Sequence, residues 1–375
     1  MASIKKNNQS GKWDFVFDLG KHPFSGRRRQ IRRRGFKTKR AAQEELSKLR
    51  AELLENEIIN TTSIPFNKYM DEWLSERVHQ LQKNTLNVHK IYYESVIKPR
   101  LGHFKLQELS PIHIQHFINQ IVYELNYSEH TIHLIYRIVS GSLKRAKVLN
   151  LIKTNPAEGA IIPKIKYKEM KVWTLEEANY FVENARNIKR LTRCYIGFLV
   201  AILTGMRQGE ILGLRWKDVD LDNQLIYIRQ TLTQSGELKA GAKNKSSLRT
   251  IHIPNSLVKN LKEHRNLIRK EKLRLGKNYN DLDLVNCTQK GNPIIPRNFR
   301  KEFYNLVNKL ELPIIRFHDL RHTHATILIQ QNVNVKLISE RLGHADITTT
   351  LNTYSHIIPS MQKEISDQLD NIINL

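Results

Sequence analysis

Four short segments in the second half of the chain carry residue types that can act together on a phosphodiester. They are Thr204-Gly-Met-Arg207-Gln-Gly-Glu210, Lys243-Asn-Lys245-Ser-Ser-Leu-Arg249-Thr250, His318-Asp-Leu-Arg321-His322, and Leu342-Gly-His344, which lies ten residues before Tyr354. Two arginines offer planar forks that bind non-bridging phosphate oxygens in pairs. Histidines beside them can donate to the same phosphate and relay protons. A lysine on a hairpin can protonate a leaving alkoxide. A tyrosine can be the covalent nucleophile, its phenolate favoured by surrounding positive charge. The set is sufficient for phosphoryl transfer, and we expect neither a metal nor a cofactor, because Arg and Lys already fill the charge-neutralising role.

Each segment alone has a plainer reading. Arg207 and Glu210, three positions apart, also make an ordinary structural ion pair. Lys243 stands among Lys239, Lys245 and Arg249 on what reads as a solvated basic hairpin. His318 and His322 have the i,i+4 spacing of a zinc-binding His-Glu-x-x-His helix. Against zinc stand Asp319 in place of Glu and Arg321 beside any bound cation. His344 after Gly343 also fits a helix cap, and Tyr354 a core or surface ring.

The elements that must position these residues read as mixed α+β, mainly α. From Trp173 onward the pattern is helical with one strand pair, Leu225–Arg229 and Thr250–Ile253, flanking a basic, glycine-containing turn. Lysine-rich 156–171 reads as a linker. Before it, residues 66–155 show helical apolar sets: Phe66/Tyr69/Met70/Trp73/Leu74, Val88/Ile91/Tyr92/Val96, Ile112/Ile114/Phe117/Ile118/Ile121 and Ile132/Ile135/Tyr136/Val139/Leu143. Breaks are expected at Pro99–Gly102, Ser110-Pro111 and Asn155-Pro156. Asn60–Pro65 reads as another linker.

In the first sixty residues, Lys12–Phe17 and Gly26–Arg32 look like strands. Thr38 looks like the cap of a helix from about Lys39 to Asn56, with Ala41, Leu46, Leu49, Leu53 and Leu54 inward. This predicts a small sheet packed on one helix, with a disordered basic tail as the alternative. The expected domains are 1–60, a helical 63–157, and a mainly helical 172–375 with a small antiparallel sheet.

Charge points to the partner. The 375 residues hold 61 Lys or Arg against 36 acidic residues, a net charge of +25. Residues 1–40 alone carry 13 of the basic residues against Asp14 and Asp18. Such an excess fits a polyanion, through counterion release from nucleic acid; an RNA binder or a membrane-surface protein shares it. The two cysteines, Cys194 and Cys287, make no disulfide framework, and the longest uncharged apolar run, Cys194–Met206, is too short to span a bilayer. With no signal peptide visible, we expect a soluble cytoplasmic protein without membrane association.

Taken together, the motifs resemble those of the tyrosine recombinases, the lambda-integrase-like family, with its Arg…Lys…His-x-x-Arg…His…Tyr order. The resemblance extends over essentially the whole chain. Residues 66–156 are similar to that family's helical core-binding domain, and the first sixty to the arm-binding module of phage and conjugative-transposon integrases. The resemblance implies that Arg207 and Arg321 clamp the scissile phosphate and that His318 and His344 add hydrogen bonds. It also implies that His318 holds the tyrosine proton, that Lys243 (or Lys245, two residues on) protonates the 5′-oxygen, and that Tyr354 forms a 3′-phosphotyrosyl link. Glu210 would orient Arg207. Arg27, Arg28, Arg29, Arg32, Arg33 and Arg34 would contact arm-type DNA. The implied partners are double-stranded core and arm attachment sites, a homotetramer on DNA, a directionality factor and a host DNA-bending protein. Ile365, Leu369, Ile372 and Ile373 form an amphipathic set that suits docking on a neighbouring subunit or on its own domain. A type IB topoisomerase shares the chemistry; a non-catalytic DNA-binding regulator or an RNA binder shares the charge.

Overall fold

A computed structural model describes residues 2–6, 11–21, 28–55, 64–165, 170–188, 192–241, 248–344 and 346–354. It divides into two compact units, 1–167 and 168–375.

The first unit begins with aromatic residues alternating along a short antiparallel sheet. Strands β1 (Ala2–Lys6), β2 (Trp13–Lys21) and β3 (Arg28–Phe36) lie in the order β1-β2-β3. Helix α1 (Lys39–Glu55) supplies the buried Ala42 and Leu46, which meet Phe15. Phe15 stacks on Phe36 with ring centroids 5.7 Å apart, and Thr38 Oγ1 accepts the Ala41 N–H at 3.1 Å as the expected cap. The described residues here are therefore packed rather than a tail. Strand β1 was not anticipated: five residues with a single inward aliphatic, Ile4, are too short to show a period. Ala42, rather than Ala41, is the buried alanine. Gly26 and Arg27 lie outside the described residues.

The helical part follows the apolar periodicity closely. It contains α2 (Phe66–Glu76), α3 (Lys83–Tyr92), α4 (Lys98–Leu101), α5 (Pro111–Tyr123) and α6 (Glu129–Val148). Tyr69 Oη reaches across the bundle to donate to Ser142 O at 2.6 Å. Three expected core residues, Val88, Ile91 and Ile112, are exposed, because helical geometry turns them away from the faces that bury Leu86, Tyr93, Val96 and Ile97 and, on α5, Ile114, Phe117, Ile118 and Ile121. The expected break at Pro99–Gly102 is present: α3 runs on through a π turn (Tyr93–Ile97) into α4, and the helical run ends at Leu101. Part of the anticipated second linker is tied down: Ile161 N donates to Gln115 Oε1 at 2.8 Å, and His133 Nε2 lies 2.8 Å from Pro163 O.

The second unit is built around α8 (Thr192–Thr204), whose Phe198, Val200 and Ala201 are fully enclosed. Around it pack α7 (Leu175–Ala185), α10 (Asn255–Leu275), α11 (Pro296–Lys309) and α12 (Asp319–Gln330). Trp173, Phe181, Phe198, Phe299, Phe303 and Phe317 form one aromatic cluster. The expected strand pair is present: β5 (Leu225–Ile228) runs antiparallel to β8 (Arg249–His252), with Ile226 opposite Ile251 and β4 (Val219–Asp220) on the other edge. A second hairpin, β6 (Gln230–Leu232) with β7 (Leu238–Ala240), was not foreseen, since three-residue strands carry no readable alternation. Helices α9 (Gln208–Leu212), α13 (Val335–Leu342) and α14 (Ile347–Tyr354) complete the described fold. Ile365, Leu369, Ile372 and Ile373 lie outside it. Among the described residues no helix is long and apolar enough to cross a membrane.

Candidate active site

The site grows from three chain reversals. Thr204 ends α8 with its hydroxyl on Val200 O at 2.6 Å, and Gly205 turns the chain at φ +65°. A Cβ at Gly205 would stand 2.7 Å from Leu342 and 2.8 Å from His324, so glycine is required by both conformation and space. This turn delivers Arg207 to the start of α9. Its backbone N–H and Nη1 donate to Glu210 Oε2 and Oε1, each at 2.9 Å.

The second reversal opens α12. Asp319, buried at the helix start, takes the Arg316 backbone N–H at 2.8 Å and its guanidinium as well. That explains Asp where a zinc helix has Glu. Two residues on, Arg321 is buried and donates to Gly205 O at 2.8 Å and Leu342 O at 2.6 Å. Burial, then the charges of Arg207 and Arg249, pull its pKa down; a guanidinium nonetheless stays protonated at neutral pH.

The third reversal caps α13. Gly343 adopts the left-handed conformation typical of a helix C′ position, and its carbonyl accepts Arg207 Nη2 at 3.1 Å. His344 follows with Nδ1 2.7 Å from Thr350 Oγ1. Burial, then the charges of Arg321 and Arg207, lowers the His344 pKa to about 4. Helix α14 then carries Tyr354 back into the site, where it is buried beside Ala325, Ile329, Ile338 and Leu342.

The Tyr354 hydroxyl lies 2.8 Å from Nδ1 of His322, where the resemblance implied His318. The phenol is also not acidified: burial raises its pKa above the ordinary tyrosine value, outweighing the pull of Arg321. His318 stands at the N-cap of α12 on the exposed rim, its ring centroid 5.3 Å from that of His322. Its pKa is lowered by partial desolvation and then by Arg321.

Glu210, which the resemblance implied would orient Arg207, accepts from it and also receives a two-point fork from Arg249, Nη1 to Oε1 at 3.1 Å and Nη2 to Oε2 at 3.0 Å. Burial raises the Glu210 pKa, but Arg249 and then Arg207 more than offset it and hold the carboxylate below its usual range. Arg249 appeared in the sequence only as one of several hairpin cations; its place on the buried register of β8 was the available signal. Lys243 and Lys245 lie outside the described residues. On β3, Arg32, Arg33 and Arg34 are exposed along an edge strand; Arg28 and Arg29 lie on the same strand. Among the described residues, no three His, Cys, Asp or Glu side chains are grouped to hold a metal ion.

Residues 171–360, half of the chain, match the Phage integrase family. The chain belongs to the phage integrase family of tyrosine recombinases. Residues 3–53 match an arm DNA-binding domain and 65–122 a phage integrase N-terminal SAM-like domain. A tyrosine recombinase described as XerC-like from Caldanaerobacter subterraneus is 33% identical, over 81% of this chain and 82% of the relative. The ICEBs1 integrase of Bacillus subtilis is 28% identical over 99% of this chain and 100% of its own length. In fold, the chain is similar to a Tn1549 transposon integrase in complex with circular intermediate DNA (TM-score 0.66, 20% identity, 78% of this chain and 95% of that one). It is also similar to a lambda integrase in a tetramer bound to a Holliday junction (TM-score 0.58, 18% identity, 93% and 94%).

Proposed function

We propose that this integrase cleaves and rejoins DNA at specific attachment sites through Tyr354, integrating and excising a mobile element. The observation that carries the reading is the meeting of the Tyr354 hydroxyl with His322 one residue after Arg321, while Arg207 and Arg321 are both anchored on the last turn of α13. Arg207 and Arg321 bind the non-bridging oxygens of the scissile phosphate and stabilise its transition state. The Tyr354 oxygen attacks phosphorus and its proton passes to His322; the bond to the 5′-oxygen breaks, and Lys243 protonates the departing alkoxide. His318 and His344 donate hydrogen bonds to the phosphate. The 3′-phosphotyrosyl link keeps the bond energy, so attack by a new 5′-hydroxyl reverses the step without ATP or metal.

The chain works in the cytoplasm on double-stranded core and arm sites, as a homotetramer, with a directionality factor and a DNA-bending protein as helpers. Its working parts are 1–60 on arm DNA through Arg27–Arg29 and Arg32–Arg34, 63–157 on the core site, and 172–375 for catalysis. The matches to arm-binding and SAM-like domains support that division. Incubation with a nicked suicide site, from which the cleaved strand diffuses away, tests the chemistry on a denaturing gel. A protein–DNA adduct is expected with wild type; its absence, when the site is demonstrably bound, would overturn the proposal.

A further inference from the structure

At the end of α13 three consecutive carbonyls each accept from a different arginine. Arg341 O takes Arg249 Nε at 2.7 Å, Leu342 O takes Arg321 Nη2 at 2.6 Å, and Gly343 O takes Arg207 Nη2 at 3.1 Å. A helix C-terminus leaves its last carbonyls without helical partners and carries the negative end of the dipole, so cations are favoured there. Two of these arginines are the proposed phosphate ligands. The third, Arg249, is 7% exposed and points its guanidinium away from solvent into Glu210.

Glu210 is itself 3% exposed and is shared between Arg249 and Arg207. A carboxylate facing one guanidinium settles into a parallel two-bond pair. Here Arg249 has taken that geometry with both oxygens, and Arg207 is left with one side-chain bond to Oε1. Among the described residues, the Arg207 side chain spends two of its five N–H groups on protein acceptors, Glu210 and Gly343. A Cβ at Gly343 would fall 2.9 Å from Arg249 Cδ and Nη1, so the cap leaves room for this one side chain.

We propose that Arg249 is a positioning residue for strand cleavage: by occupying Glu210 with its fork and the α13 terminus with its Nε, it stops Glu210 from capturing Arg207 and fixes the edge that Arg207 turns to the scissile phosphate. The proposal rests on the assignment of Arg207 to that phosphate. It does not require Arg249 to touch DNA.

The test uses the full chain in single-turnover cleavage of a suicide site, made with an ordinary scissile phosphate or with a neutral methylphosphonate there. A neutral linkage needs less from the Arg207 charge, so a defect that acts through Arg207 shrinks on it, whereas a general loss of structure slows both substrates alike. Arg249→Ala opens a hole beside a buried carboxylate, so Arg249→Lys, which keeps the charge and loses the fork, is measured beside it. Arg249→Lys is expected to bind the site like wild type and to cleave the phosphodiester at least tenfold more slowly. On the methylphosphonate it should lie within about threefold of wild type, the pattern Arg207→Ala should also show. Equal slowing on both substrates, or no slowing on either, would overturn the positioning role. A wild-type chain forming no adduct would instead remove the recombinase assignment, so the two failures are distinguishable.

Discussion

Tyr354 feels two opposed influences. Burial favours the neutral phenol, Arg321 favours the phenolate, and burial wins. The Tyr354 phenol is therefore held protonated, and the proposed attack depends on a nearby base. A neutral His322 that accepts through Nδ1 carries its own proton on Nε2. Burial, then the charge of His318, pushes the His322 pKa down to about 4. The sign follows directly: a base with a depressed pKa stays neutral, and able to take the proton, until pH falls through that lowered value. At sub-saturating DNA, where the free enzyme's pKa governs, cleavage should change less than about twofold between pH 7.5 and 5.5. An unperturbed imidazole base would lose roughly tenfold over the same range. A pH–rate profile at constant ionic strength decides it, and a tenfold fall centred near 6.5 would remove His322 as the base in that form. Tyr354→Phe should bind the core site with unchanged affinity and yield no covalent adduct on denaturing gels. An adduct retained by the Phe variant would name another nucleophile. The types of Arg207, His318, Arg321, His344 and Tyr354 were readable in the sequence because phosphoryl transfer uses them, and their order, with Glu210, because it resembles that of the tyrosine recombinases. The partner of Tyr354 was not: His318 and His322 flank Arg321, and only the return of α14 decides which ring it meets.

Helices α8, α12 and α13 hold the two arginines by their ends rather than their faces, and ends are where sequence is least explicit. Long apolar stripes such as Phe66/Tyr69/Met70/Trp73 could be read directly, because a buried face repeats every three or four residues. Strand β1 and the β6–β7 hairpin could not, because three to five residues offer too few repeats. The arginine-bearing turns were visible only as glycines, Gly205 and Gly343, whose importance comes from atoms distant in sequence. That gives a test at the level of the α13 cap. Gly343→Ala places a Cβ on a backbone at φ +69° and drives it against Arg249, which is held at both ends. The left-handed conformation costs a non-glycine residue about 1 kcal/mol, and the displaced Arg249 adds to that. We expect denaturant melts to show a loss of about 1–3 kcal/mol, with cleavage slowed more than site binding is weakened. Gly159→Ala has a similar backbone sign, φ +83°, and open space around its Cβ. It should lose a comparable conformational increment and keep the wild-type cleavage rate. If both variants cleaved equally well, the α13 cap would have no part in holding the arginines.

At the scale of the whole molecule, charge and core composition suggest how the labour is divided. The 13 Lys and Arg of residues 1–40 are a large share of the 61 in the chain, and β3 carries Arg32, Arg33 and Arg34 exposed on a sheet edge. The cluster of Phe15, Ala42 and Leu46, with Ile4, Trp13, Phe17, Phe36 and Leu49 around it, is made wholly from the first sixty residues. The helical part draws its core from Phe66 onward. Each piece thus has apolar material of its own, and deleting residues 1–60 should leave the remainder folded. The shortened chain should still form the Tyr354 adduct on a suicide core site, because Arg207 is the first residue of the proposed catalytic set. On full-length attachment DNA it should recombine poorly, having lost the β3 arginines that would grip the flanking duplex. Binding to long DNA should become less sensitive to salt, the slope of log K against log[salt] falling by roughly one unit for each phosphate contact removed. Affinities for core-only and full-length DNA across a salt series, with and without residues 1–60, measure this directly. Deletion should flatten the slope on full-length DNA and leave it unchanged on the core site. Equal slopes for both proteins on full-length DNA would mean that the first sixty residues do not touch it, and their exposed arginines would then have to serve contacts between proteins.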